Sequence, residues 1–128
     1  MGVVGGWRRG LVMAGALGAA CAQSPTPPSP TPTPAAATIT ITTAGANPKT
    51  VQIGLGQRVL FINNDTRVHE MDSDPHPDHT DCPEINQVDL LTPGQTKLTG
   101  NLNTRRTCGF HDHLNDTNNS LRGSIVIQ

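Results

Sequence analysis

Residues 38–42 read Thr-Ile-Thr-Ile-Thr, and this two-residue alternation constrains the fold more than any other feature of the chain. A helix turns every 3.6 residues and would scatter such a pattern round its surface, whereas an extended strand puts both isoleucines on one face. The texture recurs. Lys49-Thr50-Val51-Gln52-Ile53 alternates again, and Arg58-Val59-Leu60-Phe61-Ile62-Asn63 is the most apolar run. Residues 88–91, 97–99 and 104–108 read as shorter extended pieces, and residues 121–127 as a closing strand. Turn formers stand between them at 44–48, 54–57, 92–95 and 115–120. Residues 70–84, EMDSDPHPDHTDCPE, are too polar and too rich in proline for regular structure and read as a loop. No segment carries a convincing helical period. About seven short strands with turns between them predict an all-β Greek-key β-sandwich over residues 37–128.

Aromatic residues are confined to Trp7, Phe61 and Phe110, so the core must be built mainly from Ile, Val and Leu. A domain of this size buries only about 60–65% of its unfolded surface, which leaves room for a disulfide or a metal to add stability. The formal net charge of −1 excludes an electrostatic nucleic-acid binder.

Residues 1–20 form a separate unit. Arg8 and Arg9 precede the apolar run Leu11-Val12-Met13-Ala14-Gly15-Ala16-Leu17-Gly18-Ala19-Ala20, about half the ~20 residues a membrane span needs. Charge, apolar run and small residues together read as an export signal. Ala20-Cys21-Ala22 suits ordinary signal peptidase, whereas Gly18-Ala19-Ala20-Cys21 is similar to a lipobox that would leave Cys21 lipidated at the new N-terminus. Residues 21–36 include QSPTPPSPTPTP, an extended spacer of the kind that tethers a domain to a lipid. The expected location is therefore periplasm or cell envelope, with a lipid anchor to the membrane. Without Arg8 and Arg9 the chain carries seven Lys or Arg against ten Asp or Glu.

The chemistry-bearing residues gather in two patches: His69, His76, His79 and Cys82, then Cys108, His111 and His113. Copper that changes oxidation state is served by thiolate and imidazole ligands converging from different strands. His69 follows the apolar strand at 58–63, and Cys108 lies near the end of the chain.

The order of these elements resembles the cupredoxins, the blue copper proteins that include plastocyanin and azurin. The match rests on Val59-x-Phe61-x-Asn63 followed by His69, on Thr92-Pro93-Gly94-Gln95, on Cys108-x2-His111 and Cys108-x4-His113, and on Leu121-x-Gly123-x-Ile125-Val126. It covers nearly all of residues 38–128. The resemblance implies copper held by His69, Cys108 and either His111 or His113. It implies one-electron transfer with a redox partner protein, a monomeric state and no enzymatic activity. No Met follows Cys108; Leu121 stands where the axial Met would come, and Asp112, Asp116 or Glu70 are the alternative oxygen donors.

A second expectation competes. Two cysteines in a small exported domain commonly form a disulfide. A Cys82–Cys108 bond would close a loop of about 25 residues, add roughly 3 kcal/mol and spend the thiolate. The product would be a structural or binding module without a redox metal, although imidazoles alone still hold metals. His76 and His79 lie among Asp72, Asp74, Asp78 and Asp81 and read as a solvated acidic loop, or as a lid or second, weaker metal site. Gly109-Phe110-His111-Asp112-His113 is similar to a segment of copper–zinc superoxide dismutases, but no histidine follows it, and the match reads as coincidence.

Overall fold

The computed structural model describes residues 34–128 continuously, together with a few isolated positions before them. The expected export signal, the Cys21 lipid site and most of the Pro-rich linker lie outside the described residues. Among the described residues there are nine strands and no α-helix. They are β1 (Ala37–Thr42), β2 (Gly45–Asn47), β3 (Thr50–Ile53), β4 (Val59–Asn63), β5 (His69–Ser73), β6 (Asp89–Leu91), β7 (Thr96–Leu98), β8 (Arg106–Asp112) and β9 (Gly123–Ile127).

The strands form two sheets, ordered β2-β1-β4-β7 and β3-β9-β8-β5-β6. β1 runs parallel to β4 and β3 parallel to β9; the other pairs are antiparallel. The alternation in the sequence explains the packing. Ile39 and Ile41 of β1, Val59 and Phe61 of β4, and Ile125 and Ile127 of β9 all turn inward and are buried. Phe61 from one sheet meets Phe110 of β8 from the other edge to face, with ring centroids 5.3 Å apart. Such a pair contributes about 0.5–1.5 kcal/mol beyond its buried area. Gly123 is required opposite Phe110, because a Cβ there would strike the Phe110 ring and the Lys49 carbonyl.

Two departures from the sequence expectation position the site. Residues 70–73, expected in a loop, continue the regular strand β5. Their polarity is tolerated because β5 lies between β6 and β8, which take up its backbone groups. β8 also does not end at Cys108 but runs on to Asp112, paired with β5 as Met71↔Asp112, Asp72↔His111 and Ser73↔Phe110. Side chains of a strand alternate between faces. Cys108, Phe110 and Asp112 therefore share the inner face with His69, Met71 and Ser73. Gly109 and His111 share the outer face with Glu70 and Asp72.

Candidate metal centre

Cys82 and Cys108 are joined in a disulfide with Cα atoms 5.9 Å apart, and both are fully buried. This corrects the expectation that Cys108 is a thiolate ligand: the sulfur is covalently used. His69 departs from its expected role as well. Its Nδ1 lies 2.8 Å from Asp112 Oδ2 and its Nε2 3.1 Å from Asp65 Oδ2, so carboxylates occupy both ring nitrogens. The expected set of His69, Cys108 and His111 or His113 is not assembled, because strand parity sends His69 inward and His111 outward.

The inner network closes the end of the sandwich. Asp112 Oδ1 accepts the backbone N–H groups of Glu70 and Leu114 at 3.0 and 3.2 Å. Asn63 donates through Nδ2 to the carbonyls of Arg67 and Leu91, and its Oδ1 accepts from the Asp65 N–H. The Arg67 guanidinium, 2.7 Å from Asp65, lowers the Asp65 pKa from 3.8 to about 2. Burial opposes this, while the Thr66 N–H and His69 reinforce it. A carboxyl depressed in the folded state stabilises fully above its unfolded pKa, and that stability is lost as pH falls through the folded value. Urea midpoints should accordingly drop between about pH 4 and about pH 2. Asp65→Asn should flatten that part of the profile; a variant with an unchanged slope would contradict the assignment.

On the outer face, His76, His79, His111 and His113 converge, each offering a ring nitrogen within 4.8 Å of the others. β8 delivers His111, and the turn at its end delivers His113. His76 and His79 come from the loop after β5, which folds back over the sheet. The Asp81 N–H bonds the Asp74 carbonyl at 2.9 Å and the His79 N–H bonds the Pro75 carbonyl at 2.7 Å. Asn86 holds the loop from beneath, accepting from the Ser73 N–H and donating to the His79 carbonyl. The disulfide then ties the next residue, Cys82, to β8.

Carboxylates from β5, from the loop after it and from the turn after His113 stand beside three of the four imidazoles. Asp74 Oδ1 lies 2.7 Å from His111 Nδ1, Asp72 Oδ2 3.4 Å from His79 Nδ1, and Asp116 Oδ2 3.7 Å from His76 Nε2. Gly109 makes room for Asp74, whose carboxylate any Cβ at 109 would strike. With Nδ1–H donating to Asp74, His111 keeps a lone pair on Nε2, and that atom is buried without a hydrogen-bond partner. His79 Nε2 faces His113 Nδ1 at 3.1 Å. Burial lowers the pKa of His79 below its usual 6.5; Asp72 opposes the shift, and the three neighbouring histidines add to it. A ring held neutral is in the state a metal requires. An orphaned, buried nitrogen among four imidazoles, three of them with a carboxylate nearby, fits a bound metal ion.

Of the sequence candidates, His111 and His113 are brought together, and His69 and Cys108 are placed elsewhere. His76 and His79, read mainly as part of a solvated loop, stand beside the first pair. The signal for them was two short histidine spacings, His76-x2-His79 and His111-x-His113, each interleaved with aspartate.

No family model matches the sequence, and no curated protein does. Solved structures do match. A purple cupredoxin from Nitrosopumilus maritimus superposes with a TM-score of 0.56 at 15% identity, covering 72% of this chain and 99% of that one. Oxidized plastocyanin from Dryopteris crassirhizoma gives 0.56 at 15% identity, covering 71% and 99%. An oxidized amicyanin variant gives 0.55 at 16% identity, covering 71% and 80%. The chain has the cupredoxin fold, the two-sheet sandwich that these proteins share. Within that fold its own cluster is built from four histidines on the outer face of the larger sheet.

Proposed function

We propose that the protein is an exported, non-enzymatic copper-binding protein that holds one copper ion through His76, His79, His111 and His113. The observation that carries this reading is the convergence of the four imidazoles with His111 Nε2 buried and unpartnered. Imidazole suits copper, and copper(II) stands at the top of the divalent affinity order. Bound copper would supply a redox-active cation; the chain supplies the four imidazoles, with His111 held by its hydrogen bond to Asp74 and Asp72 and Asp116 placing negative charge nearby. Export is supported by the N-terminal charge and apolar pattern and by the disulfide, which belongs to oxidising compartments. Lipid attachment at Cys21 and a monomeric state belong to the same proposal.

One-electron transfer with a partner protein is the second reading. The fold favours it, since plastocyanin and amicyanin of this fold are described in oxidized and reduced states. The thiolate on which the sequence expectation rested is not available to it.

Copper(II) added to the purified protein should remain after desalting at one ion per chain. Nitrogen hyperfine coupling should report histidine ligands, and His113→Ala should remove one of them. Protein that emerges without copper would end this proposal. A reversible one-electron wave of the loaded protein would favour the second reading over simple copper carriage.

A further inference from the structure

We infer that this centre is built for a divalent cation and holds copper as copper(II) in preference to copper(I), with Asp74, Asp72 and Asp116 setting that preference. The inference rests on the four-imidazole reading and goes on to the charge of the ion.

Two independent features point the same way. The first is the donor set. Copper(I) is selected by soft thiolate and thioether ligands. Cys82 and Cys108 are bonded to each other, and Met71 lies on the inner face of β5, buried away from the cluster. Among the described residues, the group with metal-ligand spacing here consists of imidazoles alone.

The second feature is the charge around the rings. Imidazoles that ligate a metal are in their neutral form and contribute none. Asp74 hydrogen-bonds a ring nitrogen at 2.7 Å, and Asp72 and Asp116 set carboxylates 3.4 and 3.7 Å from two others. Among the described residues one cation faces them: Arg122 Nη1 lies 3.7 Å from Asp74 Oδ1, and its Nε donates to the Asp116 backbone carbonyl at 3.0 Å. Three negative charges and one positive leave the surroundings at −2. A divalent ion brings the whole to neutrality, whereas a monovalent ion leaves it at −1. The site is also partly dry, since His111 is fully buried and the His79 side chain is only 15% exposed. Screening by water is weaker there than at an open surface. The carboxylates further increase the basicity of the rings they touch, which strengthens binding of the more highly charged ion.

Parallel competition titrations of the purified protein with copper(II), zinc(II) and, without oxygen, copper(I) test this. Wild type should bind both divalent ions. Asp74→Asn, which keeps the shape of the side chain, should weaken copper(II) by about 10- to 100-fold. Copper(I) should weaken less, so that the ratio of the two affinities falls at least tenfold. Each tenfold fall corresponds to a rise of about 59 mV in the potential of the bound copper. Asp72→Asn should act in the same direction. Asp116→Asn should do so to a smaller extent and, being a surface change, keeps the test open if the others fold poorly. Equal weakening of copper(I) and copper(II) in all three variants would overturn the inference while leaving the four-imidazole site intact. Wild-type protein that binds none of the three ions would overturn the site itself.

Discussion

Replacing His69 with alanine is expected to destabilise the fold by about 3–5 kcal/mol and to leave bound copper in place. Both ring nitrogens of His69 face carboxylates whose side chains are buried, Asp65 at 0% and Asp112 at 2% exposure. Removing the fully enclosed ring opens a cavity and takes one hydrogen-bond partner from each carboxylate, although Asp65 keeps Arg67 and Asp112 keeps two backbone N–H groups; truncating a buried ring costs about that amount. The proposed copper ligands stand on the opposite face of the sheet, so ion stoichiometry should not change. Urea unfolding and elemental analysis of the same variant check both halves. Lost copper with unchanged stability would make His69 a ligand and refute the placement given above.

Removing both cysteines, as Cys82→Ser with Cys108→Ser, is expected to cost about 3.5 kcal/mol, since the bond joins residues 26 apart in sequence. For a domain of this length that lowers Tm by about 15–25 °C. Copper affinity should fall too, because the bond pins the far end of the loop that carries His76 and His79. Cys82→Ser alone makes a sharper distinction. It frees the Cys108 thiol, but β8 points that sulfur inward and His111 outward. No intense visible band should therefore appear on adding copper(II). If one does, thiolate and imidazole can meet, and the parity argument fails.

The sandwich was legible in the sequence because β1, β3 and β4 obey the simplest rule available. Thr-Ile-Thr-Ile-Thr can bury its isoleucines in only one way, and the prolines and glycines between runs mark the turns. The cupredoxin resemblance followed from the order of Asn63, His69, Pro93, Gly94, Cys108 and Gly123, and the fold agrees with it. The composition of the site was harder to read. Met71, Asp72 and Ser73 do not look like a strand, since two of the three are polar, and only pairing with β6 and β8 makes them one. That pairing decides on which face each histidine falls. Spacing along the chain suggested that Cys108, His111 and His113 act together; continuing β8 by four residues beyond Cys108 set the sulfur and the first imidazole back to back. The disulfide was expected as a rival, and nothing in the linear order could decide between a free and a bonded thiol. His76 and His79 were hidden by their acidic neighbours, which resemble a solvated loop until the loop is seen folded onto β8.

The loop is joined to β8 twice, once by sulfur at its root and once through the imidazoles at its crest. The covalent staple persists whether or not an ion bridges the crest. If the rings hold an ion as proposed, emptying that upper clasp would leave the disulfide-stapled scaffold standing. Under the proposed copper site, the chain could release one ion and take up another without refolding between the two events.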